Sequence, residues 1–240
     1  MVYNRDMVKI LFENKDYLVV EKPSGISVHP SETSNEITLT DQLKSKIDLK
    51  DLDPIRPGVV HRLDKNTSGI LIIARNKVSY DYFVKLFKSR KIEKHYSALV
   101  RGVLKHKKAV IDSPISRDLN NRTKMSISAS VGAKNAVTVY KVLNEYKTSF
   151  GMVSLLDVEI KTGRTHQIRV HMKAIDHPVV MDASYGDRKF NEVFSEALGL
   201  KRQFLHAYML KFRDPDGNAK IFRSDLPEDL NDIVIKLKAL

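Results

Sequence analysis

The chain has 240 residues, of which 42% are hydrophobic, and this is enough material to build a buried core. Lys and Arg number 41 against 29 Asp and Glu, so the formal net charge is +12 and a polyanionic partner such as nucleic acid is favoured. The composition contains no cysteine, which excludes disulfides, thiolate zinc sites, iron–sulfur clusters and a cysteine nucleophile.

Residues 1–20 have charges scattered among their apolar side chains, so they lack the uninterrupted apolar core of a signal peptide. No apolar run in the sequence approaches the ~20 residues that a membrane-spanning helix needs. We therefore expect a cytoplasmic protein with no membrane partner.

Short apolar and β-branched runs bounded by turn residues predict strands along much of the chain. Several of these runs alternate, as where Thr138 separates Val137 from Val139, and alternation favours half-buried antiparallel strands over a parallel sheet. The predicted strands are residues 8–12, 17–20, 70–74, 96–100, 137–142, 153–160 and 204–210.

Two amphipathic segments predict helices. Val78, Tyr82 and Leu86 recur at helical spacing, and they follow Asn76, whose side chain suits an N-cap. Near the C-terminus, Pro227 is typical of a helix start. The apolar face of this second helix consists of Leu230, Ile233, Val234 and Leu237.

Strands and helices interleave irregularly, with no internal repeat and no long linker. This pattern predicts a single α+β domain over residues 1–240. Residues 29–35 and the basic residues 117–124 are predicted to be surface loops.

The segment PGVVHRLDKNTSGILIIAR, residues 57–75, concentrates charged side chains in a turn before an apolar strand. Arg62 and Lys65 flank Asp64, and their positive charges favour its carboxylate form. A turn fixed by the strand would hold Asp64 at a sheet edge, which is how reacting groups are often positioned. A charged turn with a local ion pair explains the same composition equally well.

The segment IKTGRTHQIRVHMKAIDHP, residues 160–178, concentrates hydrogen-bond donors. These donors are Arg164, His166, Gln167, Arg169 and His171. If a helix begins just after Gly163, its first free amides lie beside Arg164 and the segment suits an anion. Metal binding is the competing interpretation, but the five-residue spacing of His166 and His171 puts them on different faces of a helix.

Familiar cofactor and hydrolase patterns are absent from the sequence. It contains no GxSxG elbow, no GxxxxGK[ST] phosphate loop and no GxGxxG fingerprint, so neither a nucleotide cofactor nor a metal is expected. Glycoside hydrolysis usually needs two cooperating carboxylates, and the only acids near Asp64 along the chain are Asp51 and Asp53, upstream of it. Chemistry built on one carboxylate therefore needs another explanation.

Ordered blocks between about residues 10 and 222 resemble the RluA family of RNA pseudouridine synthases. The blocks are VVEKPSGISVHP at 19–30, HRLDKNTSGILIIA from His61, KHYSALVRG from Lys94, TGRTHQIRVH from Thr162, and then HPVVMDASYG, with LHA following at Leu205. They are similar, in order, to the family's first motif, its catalytic-aspartate motif, its tyrosine motif, its arginine motif and its Asp-x-x-Tyr-Gly ending.

The resemblance implies a mixed, mostly antiparallel central sheet flanked by helices, with a catalytic cleft. It also implies that Asp64 is the catalytic nucleophile or base, that Tyr96 stacks on the target uracil, and that Arg169 pairs with Asp64. Arg62 is similar to the family arginine that enters the RNA stack when the target base is extruded. Read without the family, Tyr96 suits an ordinary core tyrosine and Arg62 a phosphate contact.

Three further residues are expected to bind substrate. Leu205 is expected to line the uracil pocket, and His61 and Arg164 to contact the RNA. Two positions depart from the family pattern: Met181 stands where glycine is common, and Asn66 replaces a commoner aspartate.

The resemblance implies an isomerase that needs no cofactor and acts on structured RNA. We expect large-subunit (23S) ribosomal RNA, with transfer RNA as the alternative. No S4-type RNA-binding module precedes the catalytic blocks, so RNA affinity is expected from the basic catalytic domain, acting as a monomer. The rival functions are a non-catalytic RNA-binding protein, a hydrolase that releases the base, and an interaction protein with acidic partners.

Overall fold

The computed structural model describes residues 8–30, 36–118, 121 and 123–240. The strands are β1 (Lys9–Glu13), β2 (Tyr17–Lys22), β3 (Ser68–Ala74), β4 (Glu93–Arg101), β5 (Lys108–Asp112), β6 (Ile115–Arg117), β7 (Met125–Ile127), β8 (Val137–Thr148), β9 (Gly151–Ile160), β10 (Leu205–Arg213) and β11 (Ala219–Arg223). The helices are α1 (Leu39–Leu43), α2 (Lys77–Lys88), α3 (Gln167–Ala174), α4 (Arg188–Leu198) and α5 (Glu228–Lys238), and a 3-10 helix covers Lys44–Lys46.

The described residues form two compact units. The first comprises the chain up to Glu93 together with Ala207–Ser224, and the second comprises Lys94–His206 with Asp225–Leu240. All seven predicted strands and both predicted helices are present, which confirms the α+β class and the mostly antiparallel sheet.

Five strands make the sheet of the first unit in the described part of the chain: β1, β2, β3 and β10 follow in that order, and β11 pairs with β10. β1 and β2 form an antiparallel hairpin, and β2 continues antiparallel onto β3. All seven residues of β3 are buried, which is why its sequence is a continuous apolar run rather than an alternating one.

The core of the first unit lies between this sheet and α2. Tyr17 of β2 packs edge-on against Phe83 of α2, with ring centroids 5.2 Å apart, and against Phe212 of β10 at 5.8 Å. The Asn76 side chain accepts the Ser79 amide at 2.9 Å, which confirms the predicted N-cap of α2.

The sheet of the second unit has the order β4, β9, β8, β5, and each neighbouring pair is antiparallel. Helices α4 and α5 supply much of its core, with Phe194 of α4 and Leu230 of α5 both fully buried beside Leu99 of β4. The predicted apolar face of α5 is confirmed, because all four of its residues are buried.

Strands β5, β6, β7 and β11 and helices α1 and α4 were not predicted from the sequence. Within the described residues, no helix is both long enough and apolar enough to cross a membrane. Of the two predicted loops, residues 31–35, 119–120 and 122 lie outside the described part of the chain.

Candidate active site

Asp64 lies on a turn that leads directly into β3. The residue is half-buried, and its main-chain carbonyl accepts the Thr67 amide at 3.0 Å, which closes the turn. Gly69 then has φ of +122°, and a Cβ at this position would lie 2.3 Å from the Ala207 carbonyl oxygen on β10. Only glycine allows this close approach, so the end of the Asp64 turn is fixed against the sheet.

Lys22 connects this turn to the loop that follows β2. Its side chain is fully buried, and Nζ donates hydrogen bonds of 2.7 to 3.0 Å to two carbonyls of that loop and to the carbonyl of Lys65. The Gly25 amide donates to the same Lys65 carbonyl at 2.9 Å. A buried ammonium is tolerated here because main-chain oxygens compensate its lost hydration, and Lys22 thereby holds the residue next to Asp64.

His61 fixes the other end of the turn. Its Nε2 accepts the main-chain amide of Ile72 at 2.9 Å, and its ring stacks on Phe87 of α2 with centroids 4.5 Å apart. The neighbouring segment runs beside β3, where Ala74 donates to the Gly58 carbonyl at 2.9 Å. The imidazole thus accepts a β3 amide where a main-chain carbonyl could otherwise do so. This contact holds the start of the Asp64 turn against β3, a positioning role in addition to the predicted contact of His61 with RNA.

The two basic residues that flank Asp64, Arg62 and Lys65, lie in different surroundings. Arg62 is exposed, and its predicted entry into the RNA stack stays a prediction. Lys65 forms an exposed ion pair with Glu36, with Nζ and Oε2 2.6 Å apart. The carboxylate in this ion pair is 29 residues away along the chain, so the pair is not one within the turn itself.

Tyr96 lies in the middle of β4, opposite Val158 of β9, and only 7% of it is exposed. Leu205, the first residue of β10, is 4% exposed. Both belong to the second unit, and their predicted contacts with uracil stay predictions.

Arg169 forms a buried, two-pronged ion pair with Asp182 in the second unit. Nε and Nη2 donate to Oδ2 and Oδ1 at 2.7 and 2.9 Å, and the side chains are 7% and 0% exposed. The guanidinium also lies over the ring of Tyr185, 5.0 Å from its centroid. Asp64 belongs to the first unit, so its predicted pairing with Arg169 stays a prediction.

Asp182 also organises its own loop. Its Oδ1 accepts the main-chain amides of Ser184 and Tyr185 at 2.8 and 3.0 Å. The Tyr185 hydroxyl contacts His166 Nδ1 at 2.9 Å and accepts the amide of Met125 at 2.8 Å. The Asp-x-x-Tyr-Gly block thus contacts the arginine motif twice, through Asp182 on Arg169 and through Tyr185 on His166. The sequence analysis did not assign this role.

The helix of the arginine motif begins after His166. The sequence analysis considered a start just after Gly163, but α3 starts at Gln167 and its N-cap His166 has a left-handed φ of +56°. The Gln167 Oε1 accepts from Thr162 Oγ1 and from the Arg164 amide, which holds residues 162–166 as a turn. The condition for placing Arg164 at the first amides of a helix, a start just after Gly163, is therefore not met.

Two of the predicted donors are engaged by the protein itself. Arg164 donates from Nε to the Asn135 carbonyl at 2.9 Å. His171 is fully buried, with Nδ1 2.9 Å from Thr138 Oγ1 and Nε2 3.0 Å from the Ser113 carbonyl. Burial lowers the pKa of His171, which favours its neutral form, and neither ring nitrogen is left for an anion or a metal.

Comparison with known proteins assigns the class of the enzyme. A family model described as RNA pseudouridylate synthase matches residues 16–174. An uncharacterized RNA pseudouridine synthase of Aquifex aeolicus is 41% identical over 233 residues, covering 94% of this chain and 72% of that protein. Ribosomal large subunit pseudouridine synthase D of Nitrosomonas europaea is 37% identical over 225 residues, covering 93% of this chain and 63% of that protein.

A solved structure, human RNA pseudouridylate synthase domain containing 1, matches with a TM-score of 0.73 and 27% identity. The match covers 100% of this chain and 98% of that chain. The protein is thus an enzyme of the pseudouridine synthase class, an isomerase that acts on RNA. Within this class the chain belongs to the RluA family, as its ordered motif blocks indicate.

The hydrogen bond from Ile72 to His61 leads to a testable prediction. His61→Leu removes the acceptor and should slow uridine isomerisation by roughly 10²-fold, because small displacements of a reacting group cost about that much. His61→Gln offers Oε1 as an acceptor, so it should restore most of the rate. Hydrogen exchange of the Ile72 amide should accelerate in the leucine variant and return towards the wild-type rate in the glutamine variant.

Equal rate losses in the two His61 variants, with Ile72 protected only in His61→Gln, would contradict the positioning role. That result would leave direct contact with RNA as the function of His61.

Proposed function

We propose that this enzyme isomerises uridines of large-subunit ribosomal RNA. The observation that carries the proposal is the set of relatives named ribosomal large subunit pseudouridine synthase D, which are 35–37% identical to the chain. The formal charge of +12 suits a large structured RNA, since each phosphate that is neutralised adds to binding. Transfer RNA, the alternative expected from sequence, has no comparable support.

In the proposed reaction, the extruded uridine lies over Tyr96 while Asp64 acts at the sugar. Asp64 either attacks C1′ or removes a sugar proton as the C1′–N1 bond breaks. The detached uracil turns and C5 bonds to C1′, which either breaks the bond between Asp64 and C1′ or is accompanied by return of the sugar proton. The C5 proton leaves and N1 gains a proton, so no cofactor or external nucleophile is consumed. Base extrusion is required because the glycosidic bond is inaccessible in a stacked helix.

The other predicted residues have supporting roles in this proposal. Arg62, which is exposed, fills the space that the extruded base leaves in the RNA stack. Leu205 lines the uracil site, and Arg164 and His61 contact the RNA. Arg169 keeps Asp64 ionised, with its own orientation set by Asp182.

We also propose that residues 1–240 act as one catalytic domain, as a monomer, in the cytoplasm. The family model supports the first point, because one match spans residues 16–174, from the first motif to the arginine motif. The absence of cysteine suits a reducing compartment.

Tritium release from uracil C5 tests the proposal, because pseudouridine formation must expel that atom. Unmodified ribosomal RNA and unmodified transfer RNA, both labelled at C5, are incubated separately with the enzyme at equal uridine concentration. We expect release from large-subunit RNA and none above background from transfer RNA. Release from transfer RNA alone would overturn the choice of target, and free uracil or abasic RNA would indicate a hydrolase.

A further inference from the structure

The C-terminal end of α2 carries exposed positive charge. Lys88 is the last residue of the helix, Arg90 and Lys91 follow it closely, and all three are exposed. At the start of the same helix, Lys77 is paired with Asp81, with Nζ and Oδ1 2.5 Å apart. For Lys88, Arg90 and Lys91, no carboxylate lies within ion-pair distance in the part of the chain that the structure describes. We call these three residues the basic terminus of α2.

The chain leaves α2 through a left-handed residue. Arg90 has φ of +58°. Its amide donates to the Phe87 carbonyl at 3.2 Å, and the Lys91 amide donates to the Leu86 carbonyl at 3.1 Å. These two hydrogen bonds define a Schellman motif. In this motif the left-handed position is usually glycine, and the next residue frequently makes an apolar contact back to the helix.

Cations occupy both of these positions in α2, whereas α4 ends differently. The left-handed residue after α4 is Gly199, with φ of +86°, and the buried Leu200 follows it in the core. Arg90 is strained where Gly199 is not, and Lys91 is exposed where Leu200 is buried. Backbone strain kept at an exposed charged residue favours a function for the side chain outside folding.

The basic terminus lies near the turn that carries Asp64, within the same compact unit. Phe87, which precedes Lys88, stacks on His61 with ring centroids 4.5 Å apart. The three residue steps from His61 to Asp64 span at most ~11 Å. A stacked strand advances ~3.4 Å per nucleotide, so phosphates a few nucleotides from a uridine at Asp64 can reach the basic terminus.

The chemistry of the basic terminus suits a phosphate backbone. Each phosphate that a cation neutralises releases counterions and adds to the affinity for the nucleic acid. The guanidinium of Arg90 can bind a phosphate through two parallel hydrogen bonds, and Lys88 and Lys91 act as point charges. Cations at a helix C-terminus also stabilise the helix through its dipole, and this is the structural alternative.

We propose that the basic terminus of α2 is a phosphate-binding surface, which holds the RNA backbone beside the target uridine while Asp64 acts. The proposal rests on the proposed role of Asp64, and it holds for any RNA substrate and not only for ribosomal RNA. The three residues contribute to substrate affinity and not to the reaction step.

The triple variant Lys88→Ala/Arg90→Gly/Lys91→Ala tests the phosphate contacts. On whichever RNA the wild type modifies, we expect KM to rise at least about tenfold with kcat unchanged, because phosphate contacts supply much of the affinity. The dependence of log KM on log salt concentration should become shallower by about two to three units, because each lost phosphate contact removes nearly one.

The matched control is Lys9→Ala/Lys44→Ala/Lys50→Ala. It removes the same charge from exposed positions of the same unit. KM and the salt slope should both change little, since the net charge alone does not position the RNA backbone.

The single variant Arg90→Gly separates RNA binding from folding. Glycine is unstrained at φ of +58°, so the midpoint of thermal unfolding should rise. KM should nevertheless rise about two- to threefold, and the salt slope should become shallower by about one unit, because one phosphate contact is lost. Arg90→Lys keeps the charge and should keep the wild-type salt slope.

An unchanged KM and salt slope in the triple variant would overturn the proposal, as would an equal effect in the lysine control. A higher thermal midpoint in Arg90→Gly without any change in KM or slope would show that Arg90 does not bind RNA. Failure of the proposed chemistry is distinguishable from these results, because it would appear as a near-normal rate in Asp64→Ala and leave the KM of the triple variant unaffected.

Discussion

Replacing Asp64 with alanine should stop uridine isomerisation and leave the protein folded. In the proposed reaction this carboxylate acts at the sugar, and loss of a positioned acid–base group costs about 10²–10⁴-fold in rate. The turn itself should survive, because it is closed by the main-chain bond from Thr67 to the Asp64 carbonyl and by Lys22 on the Lys65 carbonyl. Tritium release from C5-labelled RNA measures the rate, and circular dichroism with thermal unfolding checks the fold.

Glu36→Ala is the matched control for Asp64→Ala. It removes a carboxylate that forms an exposed pair with Lys65, and this pair should contribute under about 1 kcal/mol. We expect its isomerisation rate to stay within a few-fold of the wild type. A folded Asp64→Ala enzyme with a near-normal rate would exclude Asp64 as the reacting group, and an equal loss in Glu36→Ala would point to general damage of the turn.

Elements with strong local signals could be predicted from the sequence. β3 is a run of apolar residues long enough to be buried on both faces, and α2 has both an N-cap and helical periodicity. The same signals predicted β9 and α5. In each of these elements the hydrophobic pattern and the flanking turn residues indicate the same secondary structure. The local conformational preference and the burial in the folded protein therefore favour one structure.

Weaker elements could not be predicted, because their strand pairing is not encoded locally. β6 and β7 have three residues each and pair with each other. β5 alternates only partly and exposes Val110, so its sequence does not differ from a basic loop. Such short edge strands depend on a neighbour that lies far away along the chain.

The candidate site was predictable as a set of motifs but not as a set of contacts. Lys22 binds a carbonyl 43 residues away, and Arg169 binds a carboxylate 13 residues away. Neither pairing follows from periodicity or spacing. The left-handed conformation of the N-cap His166 could not be predicted either. A glycine at this position would have indicated a positive φ, whereas a histidine does not.

Met181 shows how a departure from the family pattern is accommodated. Its φ is +61°, a conformation in which glycine is unstrained, and the family often has glycine at this position. The Met181 amide donates to Asn191 Oδ1 at 2.9 Å, and its side chain packs against the core formed with α4 and α5. These contacts offset the strain of the backbone immediately before Asp182.

Removing the Asp182 carboxylate should destabilise the protein strongly. Asp182→Ala eliminates both hydrogen bonds from Arg169 and the acceptor for the Ser184 and Tyr185 amides, all in a site that solvent does not reach. Loss of one partner of a buried ion pair costs about 3–5 kcal/mol. Urea denaturation should therefore show a lower free energy of unfolding by about that amount.

Three further variants separate the causes of this loss. Asp182→Asn keeps an oxygen for the two amides but removes the charge, so its free energy of unfolding should fall between those of the wild type and Asp182→Ala. Glu192→Ala breaks an exposed pair with Arg188, 3.6 Å apart, and should cost no more than about 0.5 kcal/mol. With Arg169→Met added to Asp182→Ala, the combined loss should be smaller than the sum of the single losses, because the two residues interact directly. Additive losses, or a cost below about 1 kcal/mol for Asp182→Ala, would show that the pair does not organise this part of the site.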